Sequence, residues 1–331
     1  MKQKKTHLVV SSLALAALVG FVTLVARTGY GQAQTEAQAT AARPLALVPE
    51  KSAVAAVPAA TTDATEKGGH VHADEKGASL FAAAAARNMM LKYELSWAFG
   101  GKQQRGWHLY TPLISRMLEM DAGGAADDFA EALSRWQKTA GLQPSGVLDG
   151  ETLYRMVSEW QGERLKNKVN ARPEDLLLAP SADFYDPARP AELRNVERET
   201  YAAYKRMLAA AAADPTSGLR LTAAGEIAPE ERFLRIVSSF RSPEYQARLR
   251  AQSPNSGRAG LAVNSPHFTG RALDLYVGGE PVETKDSNRA IQVQTPAYRW
   301  LVRNAERFGF RPYYYEPWHW EYVGTETVTN R

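Results

Sequence analysis

The order of apolar and polar positions divides the 331-residue chain into five stretches. The first is an unbroken uncharged run from Leu8 to Ala26, preceded by Lys2, Lys4 and Lys5. A basic start ahead of an apolar segment is the pattern of export, because the positive end stays cytoplasmic while the apolar part enters the membrane. Gly31 and Ala33 supply small residues suited to cleavage, so residues 1–33 are expected to be a signal peptide. The apolar run is also about as long as a membrane span, which makes an uncleaved anchor the alternative. The remainder is expected in the periplasm or cell envelope, touching the membrane only through this segment if it stays uncleaved. Residues 34–79 are Ala, Thr, Pro and Gln with almost no aromatics, too little apolar surface to offset the entropy of ordering. They are expected to form a disordered linker, and His70 and His72 are read as part of that tail.

From residue 80 to 165 the period becomes helical. Phe129, Leu133 and Trp136 recur at three- and four-residue spacing behind Asp127 and Asp128, which suit a helix N-terminus. Gly141 ends that helix, Pro144-Ser145-Gly146 makes a turn, and Thr152, Leu153, Met156, Val157 and Trp160 mark one face of a second helix. A Pro-rich linker over 166–195 follows, from Arg172-Pro173 to Arg189-Pro190. The last stretch, 183–324, mixes elements without regular alternation. A helix is predicted over Val196–Ala213 and another over Pro243–Gln252, with strands over Phe233–Ser239, Ala272–Val277 and His319–Val323. That order argues for α+β rather than a doubly wound sheet.

Composition, at 44% apolar and 23% charged residues, suits a globular core. The absence of cysteine excludes disulfides, thiolate metal sites and cysteine nucleophiles. The net charge of +4 equals the four basic residues of the leader, Lys2, Lys4, Lys5 and Arg27, so the rest of the chain is balanced. Nothing in that balance suits a phosphate backbone, and nucleic acid is not expected as a partner.

Two segments are chemically dense. "NSPHFTGRALDLYV" contains His267 and Asp274, and "EPWHWEYV" contains Glu316 and His319. Two imidazoles and a carboxylate make a catalytic zinc set, and a further carboxylate would serve as base on a water. The residue types alone leave open whether Asp274 or Glu316 is the ligand. On a strand, Asp274 shares a face with Ala272 and Tyr276, and a carboxylate buried there needs a charged partner such as a metal. The plainer alternative is a hydrogen-bonded His–carboxylate pair, with Trp318 and Trp320 as core aromatics around His319. Competing peptidase signatures are absent: there is no His-Glu-x-x-His, Gly-x-Ser-x-Gly or Ser-x-x-Lys set.

Together, "SPHFTGRALD" and "EPWH" fit Ser-x-His-x-x-Gly-x-Ala-x-Asp followed by Glu-x-x-His. In this the chain resembles the zinc D-Ala-D-Ala carboxypeptidases of the LAS group (VanY-like), a group that also includes the hedgehog domain. "SSFRSPEYQARL" is similar to the element that precedes the first metal motif in that family, with Phe240 where Tyr is common. The resemblance implies a small antiparallel sheet with flanking helices and one Zn²⁺ per catalytic domain. It implies His267, Asp274 and His319 as zinc ligands, Glu316 as catalytic base, Arg241 near the scissile peptide as a catalytic and substrate-binding group, and Ser265 steadying the ligand loop. The implied activity is removal of the terminal D-Ala from peptidoglycan stem peptides. The same motifs would serve a D,D- or L,D-endopeptidase, or a non-catalytic wall-binding protein with a structural zinc. The segment from Phe129 to Trp160 resembles the peptidoglycan-binding module of wall hydrolases, departing at Ser145 and Asp149. That likeness implies a small all-α module that would hold the enzyme on glycan.

Overall fold

The computed structural model describes residues 73–121, 123–252 and 264–324. The leader, most of the expected tether and the His70/His72 pair lie outside the described residues. The first helix, α1 (Ala73–Glu94), starts inside the stretch expected to be a tether. Its Ala-, Glu- and Lys-rich sequence is a strong helix former.

A β-hairpin that the helical pattern did not anticipate follows. Strands β1 (Ser96–Phe99) and β2 (Lys102–Arg105) pair antiparallel, with Phe99 opposite Lys102. Gly100 and Gly101, at φ 58° and 79°, form the two-residue turn, a conformation in which glycine carries no Cβ penalty. Trp97 and Phe99 face inward and Ser96 and Ala98 outward, a period-2 signal only four residues long. Helices α2 (Thr111–Met117), α3 (Ala126–Thr139) and α4 (Gly150–Gly162) complete this region. Buried Gln137 of α3 ties it together. Its amide donates to the Val147 carbonyl and to Thr152 Oγ1 at 3.0 Å each, while its oxygen accepts from Gly146 N at 2.9 Å.

The stretch expected to be a linker is instead fastened down. Leu165 N donates to Glu321 at 3.0 Å and Ala171 N to the Phe268 carbonyl at 2.8 Å. Strand β3 (Leu176–Leu178) pairs antiparallel with β4 (Asn195–Glu197), which leads into α5 (Arg198–Ala213). One apolar core runs from Trp97 and Trp107 through Leu153 and Tyr204 to Trp320 and Tyr322. The helical region and the last stretch both contribute residues to this core.

The site rests on a four-stranded antiparallel sheet. Its strands, β5 (Ile236–Ser238), β6 (Ala272–Leu275), β7 (Phe310–Tyr313) and β8 (Glu316–Tyr322), lie in the order β5-β6-β8-β7. Helix α6 (Pro243–Gln252) matches its predicted span, and α7 (Asp286–Gln292) and α8 (Pro296–Asn304) flank the sheet. This is the expected α+β architecture. Strand β8 starts three residues earlier than predicted, and all seven of its residues are buried, Trp318 and Trp320 among the core aromatics.

Candidate metal and catalytic site

Strand register assembles the site. Asp274 on β6 pairs with Ser238 on β5 and with His319 on β8, so residues 45 apart in sequence sit side by side. His267 comes from a short 3-10 turn, Pro266–Thr269, capped by Ser265, whose hydroxyl accepts from His267 N at 3.3 Å. Gly270 closes that turn at φ 68°, and a Cβ there would lie 2.9 Å from Leu176 Cδ2 and 3.0 Å from Glu197 N. Only glycine lets the ligand turn pack this closely on β3 and β4.

His267, Asp274 and His319 are buried, and their ligand atoms lie within 4.8 Å of one another. Nε2 of His267 is 3.3 Å from Asp274 Oδ2, and Nδ1 of His319 is 2.9 Å from Asp274 Oδ1. The far side of each ring is anchored. His267 Nδ1 donates to the Ser239 carbonyl at 2.7 Å, and His319 Nε2 donates to Glu321 Oε1 at 3.1 Å. Such outer bonds fix tautomer and ring orientation in metal-binding histidines. The three residues could thus hold a divalent metal through two imidazole nitrogens and a carboxylate, a donor set that suits zinc.

Burial, together with the Arg241 charge, lowers the His267 pKa to about 4, which keeps its ring neutral and able to ligate. Burial works against ionised Asp274 as well, but its interaction with His267, hydrogen bonds from both histidines and the Arg241 charge hold its carboxyl well below the usual range. For His319, burial is outweighed by hydrogen bonds to Asp274 and Glu321 and by their charges, raising it to about 9.

Glu316 stands apart. It is 6% exposed, and its Oε1 has no hydrogen-bond partner. Burial, reinforced by the Asp274 charge against the attraction of His319, Lys102 and Arg164, pushes its carboxyl up to about 7. A register irregularity between Pro312 and Tyr313 adds residues to β8 here. Such a bulge re-aims side chains, and it brings Glu316 into electrostatic reach of Asp274 and His319.

Arg241 lies deeper than its expected role suggested. Its Nη2 donates to Asp274 Oδ2 at 2.7 Å, its Nε to Ser238 Oγ at 2.9 Å, and its backbone N to the His267 carbonyl at 3.2 Å. The guanidinium charge is matched by the Asp274 carboxylate. All six residues singled out from the sequence therefore fall in one place, with Ser265 holding the turn of His267.

Three neighbours escaped sequence reading. Glu321, fully buried, accepts from His319 and pairs with Arg164. It sits two residues past His319, on the same face of the strand, and that spacing was the available signal. Arg164 follows α4, with its guanidinium 4.2 Å from the Tyr313 ring centre. Lys102 of the hairpin lies 3.7 Å over the Tyr315 ring. Neither cation has a sequence signal, because each is far from the metal motifs in the chain.

Residues 193–325 match the family model VanY, D-alanyl-D-alanine carboxypeptidase. No curated protein matches the sequence. Among solved structures, that of VanYB in complex with D-Alanine-D-Alanine is similar at 20% identity, covering 48% of this chain and 87% of that one with a TM-score of 0.27. The matched region spans α5 and the whole four-stranded sheet with its buried His267, Asp274, Glu316 and His319, and over these residues the chain is similar to the D-alanyl-D-alanine carboxypeptidases of that family.

Proposed function

We propose that the protein is a zinc-dependent peptidoglycan peptidase that removes the terminal D-Ala of stem peptides. The observation that carries this reading is the pairing of a convergent His267–Asp274–His319 set with a separate buried carboxyl, Glu316, whose pKa is about 7. A base poised near the working pH can both accept and return a proton. A structural metal site needs no such group.

Zinc, when bound by His267, Asp274 and His319, would supply Lewis acidity and lower the pKa of a water. The protein's own groups do the rest. Glu316 takes a proton from the attacking water as its oxygen adds to the scissile carbonyl carbon. It then passes that proton to the leaving amino group as the C–N bond breaks. Arg241, held on Ser238 and Asp274, offers a rigid guanidinium to the carbonyl oxygen as negative charge develops. Ser239 and Glu321 keep the two imidazoles oriented throughout.

The leader pattern supports export, so the site would act on the wall from outside the cytoplasmic membrane, and the region from Phe129 to Trp160 would add affinity for glycan. The test is digestion of a mixture of pentapeptide monomers and cross-linked dimers by the zinc-supplied soluble part, from about Gln34 onward, read by mass spectrometry. Loss of one alanine from monomers, blocked by a chelator, is the expected result. Conversion of dimers to monomers would instead make it an endopeptidase, and no product with zinc bound would refute catalysis.

A further inference from the structure

The hairpin β1–β2 belongs to the N-terminal region, yet it packs on the turn between β7 and β8 that leads into Glu316. Phe99 meets Tyr314 edge to face at 5.5 Å, and Trp97 lies 6.4 Å from the same ring. Residues on its two strands alternate between inner and outer faces, and Lys102 falls on the inner face opposite Phe99. A lysine on the buried side of a short hairpin is unusual, because a strand normally turns such a charge to solvent.

Lys102 also stands in a concentration of positive charge. Its ammonium lies 3.7 Å from the Tyr315 ring centre, and the buried guanidinium of Arg289 lies 4.2 Å from that same centre. Arg289 donates to Tyr110 Oη at 2.7 Å and pairs with exposed Asp286 at 3.0 Å. Among the described residues, no carboxylate lies within ion-pair distance of Lys102. Burial and the nearby Arg289 disfavour its charge, and Glu316 is the acid that favours it. Glu316 is itself half-neutral near pH 7. The other cations around the site are engaged: Arg241 with Asp274, Arg164 with Glu321, and Arg189 with the Leu193 carbonyl at 3.0 Å. Two cations over the ring that precedes Glu316 in the chain, one of them without a paired acid, make a receptor for an anion.

We propose that Lys102, backed by the Tyr315 ring, binds a carboxylate of the substrate peptide next to Glu316, so that the N-terminal hairpin forms one wall of the substrate site and sets specificity. This rests on the peptidase reading above. The carboxylate is either the free C-terminus of the stem peptide or a side-chain carboxylate of its third residue, and the two sources are separable. The N-terminal region then does more than hold the protein near glycan: it contributes a specificity residue to the reaction.

The experiment measures kcat, KM and peptide Kd for the zinc-loaded protein and its Lys102→Met and Lys102→Arg variants. Four stem peptides are compared: a free or amidated C-terminus, each with a third residue bearing either a carboxylate or the amine of lysine alone. Lys102→Met should raise KM and Kd about tenfold for the fully charged peptide, the loss of one charge-assisted contact, with kcat within about twofold. Lys102→Arg should recover most of that loss. Wild type and Lys102→Met should converge on the peptide lacking the carboxylate that Lys102 reads, and that arm names the source. An equal penalty on all four peptides, no penalty, or a shifted acid limb with KM unchanged would overturn the proposal, the last by making Lys102 a tuner of Glu316. Wild-type protein that neither cleaves nor binds any of the peptides would overturn the peptidase reading and this one with it, whereas active wild type with an indifferent Lys102→Met overturns only the role of Lys102.

Discussion

Replacing Glu316 by Gln should make the metal-free protein more stable at alkaline pH while abolishing turnover. Glu316 is buried, with one carboxylate oxygen unpartnered, and its carboxyl has a folded-state pKa of about 7 against an ordinary 4.5. A carboxyl raised in this way favours folding only while it stays protonated. Its contribution is fully present below the unfolded value of about 4.5 and is lost as pH rises through about 7. Each tenfold in proton affinity carries about 1.4 kcal/mol, so ionised Glu316 costs the fold about 3 kcal/mol at pH 8.5 and under about 1 kcal/mol at pH 5. Gln does not ionise, so the variant escapes this pH-dependent loss. Urea unfolding of chelator-treated wild type and Glu316→Gln at both pH values reads it directly. Any fixed cost of burying the amide shifts both points alike, so the change in their stability difference between pH 5 and pH 8.5, about 2–3 kcal/mol, is the quantity at stake. A difference that stays the same at both pH values would refute the reading of Glu316 as a strained, proton-exchanging base. Zinc that fails to bind the variant would show Glu316 to be a ligand instead. The expected widening of the difference with pH would make the site an example of stability given up for activity.

Glu321→Gln should weaken zinc binding about 10- to 100-fold, because the bond that orients His319 is reduced. Competition against a chromogenic chelator measures this, and an unchanged affinity would leave Glu321 a purely structural partner of Arg164. Incubation with penicillin should leave the intact mass unaltered, since the sequence has no Ser-x-x-Lys pair to form an acyl-enzyme. A stable adduct at the mass of the drug would contradict the metallopeptidase chemistry.

Spacing along the chain is enough to name the motif residues of the site. His267 and Asp274 lie seven residues apart on a turn and the strand after it, and Glu316 and His319 share another strand, so motif spacing suffices to name them. The helix Pro243–Gln252 was legible for the same reason, its start marked by Ser242 and Pro243. Hairpin β1–β2 was not, because strands of four residues carry too few alternations to stand out from a helical pattern. Contacts between distant parts of the chain come from folding alone. Folding placed Arg241 on Asp274, Glu321 behind His319, Arg164 on Glu321, and Lys102 over Tyr315. The presumed linker became a fastened segment for the same reason, since Glu321 and Phe268 supply backbone partners that no local pattern contains. Electrostatic roles followed from burial. The same residue type is held at about 2 in Glu321, where His319 and Arg164 overcome its desolvation, and raised to about 7 in Glu316, which burial leaves without a bonded counter-charge. That division depends on which groups the fold brings within a few ångströms of one another, a property of packing rather than of residue order.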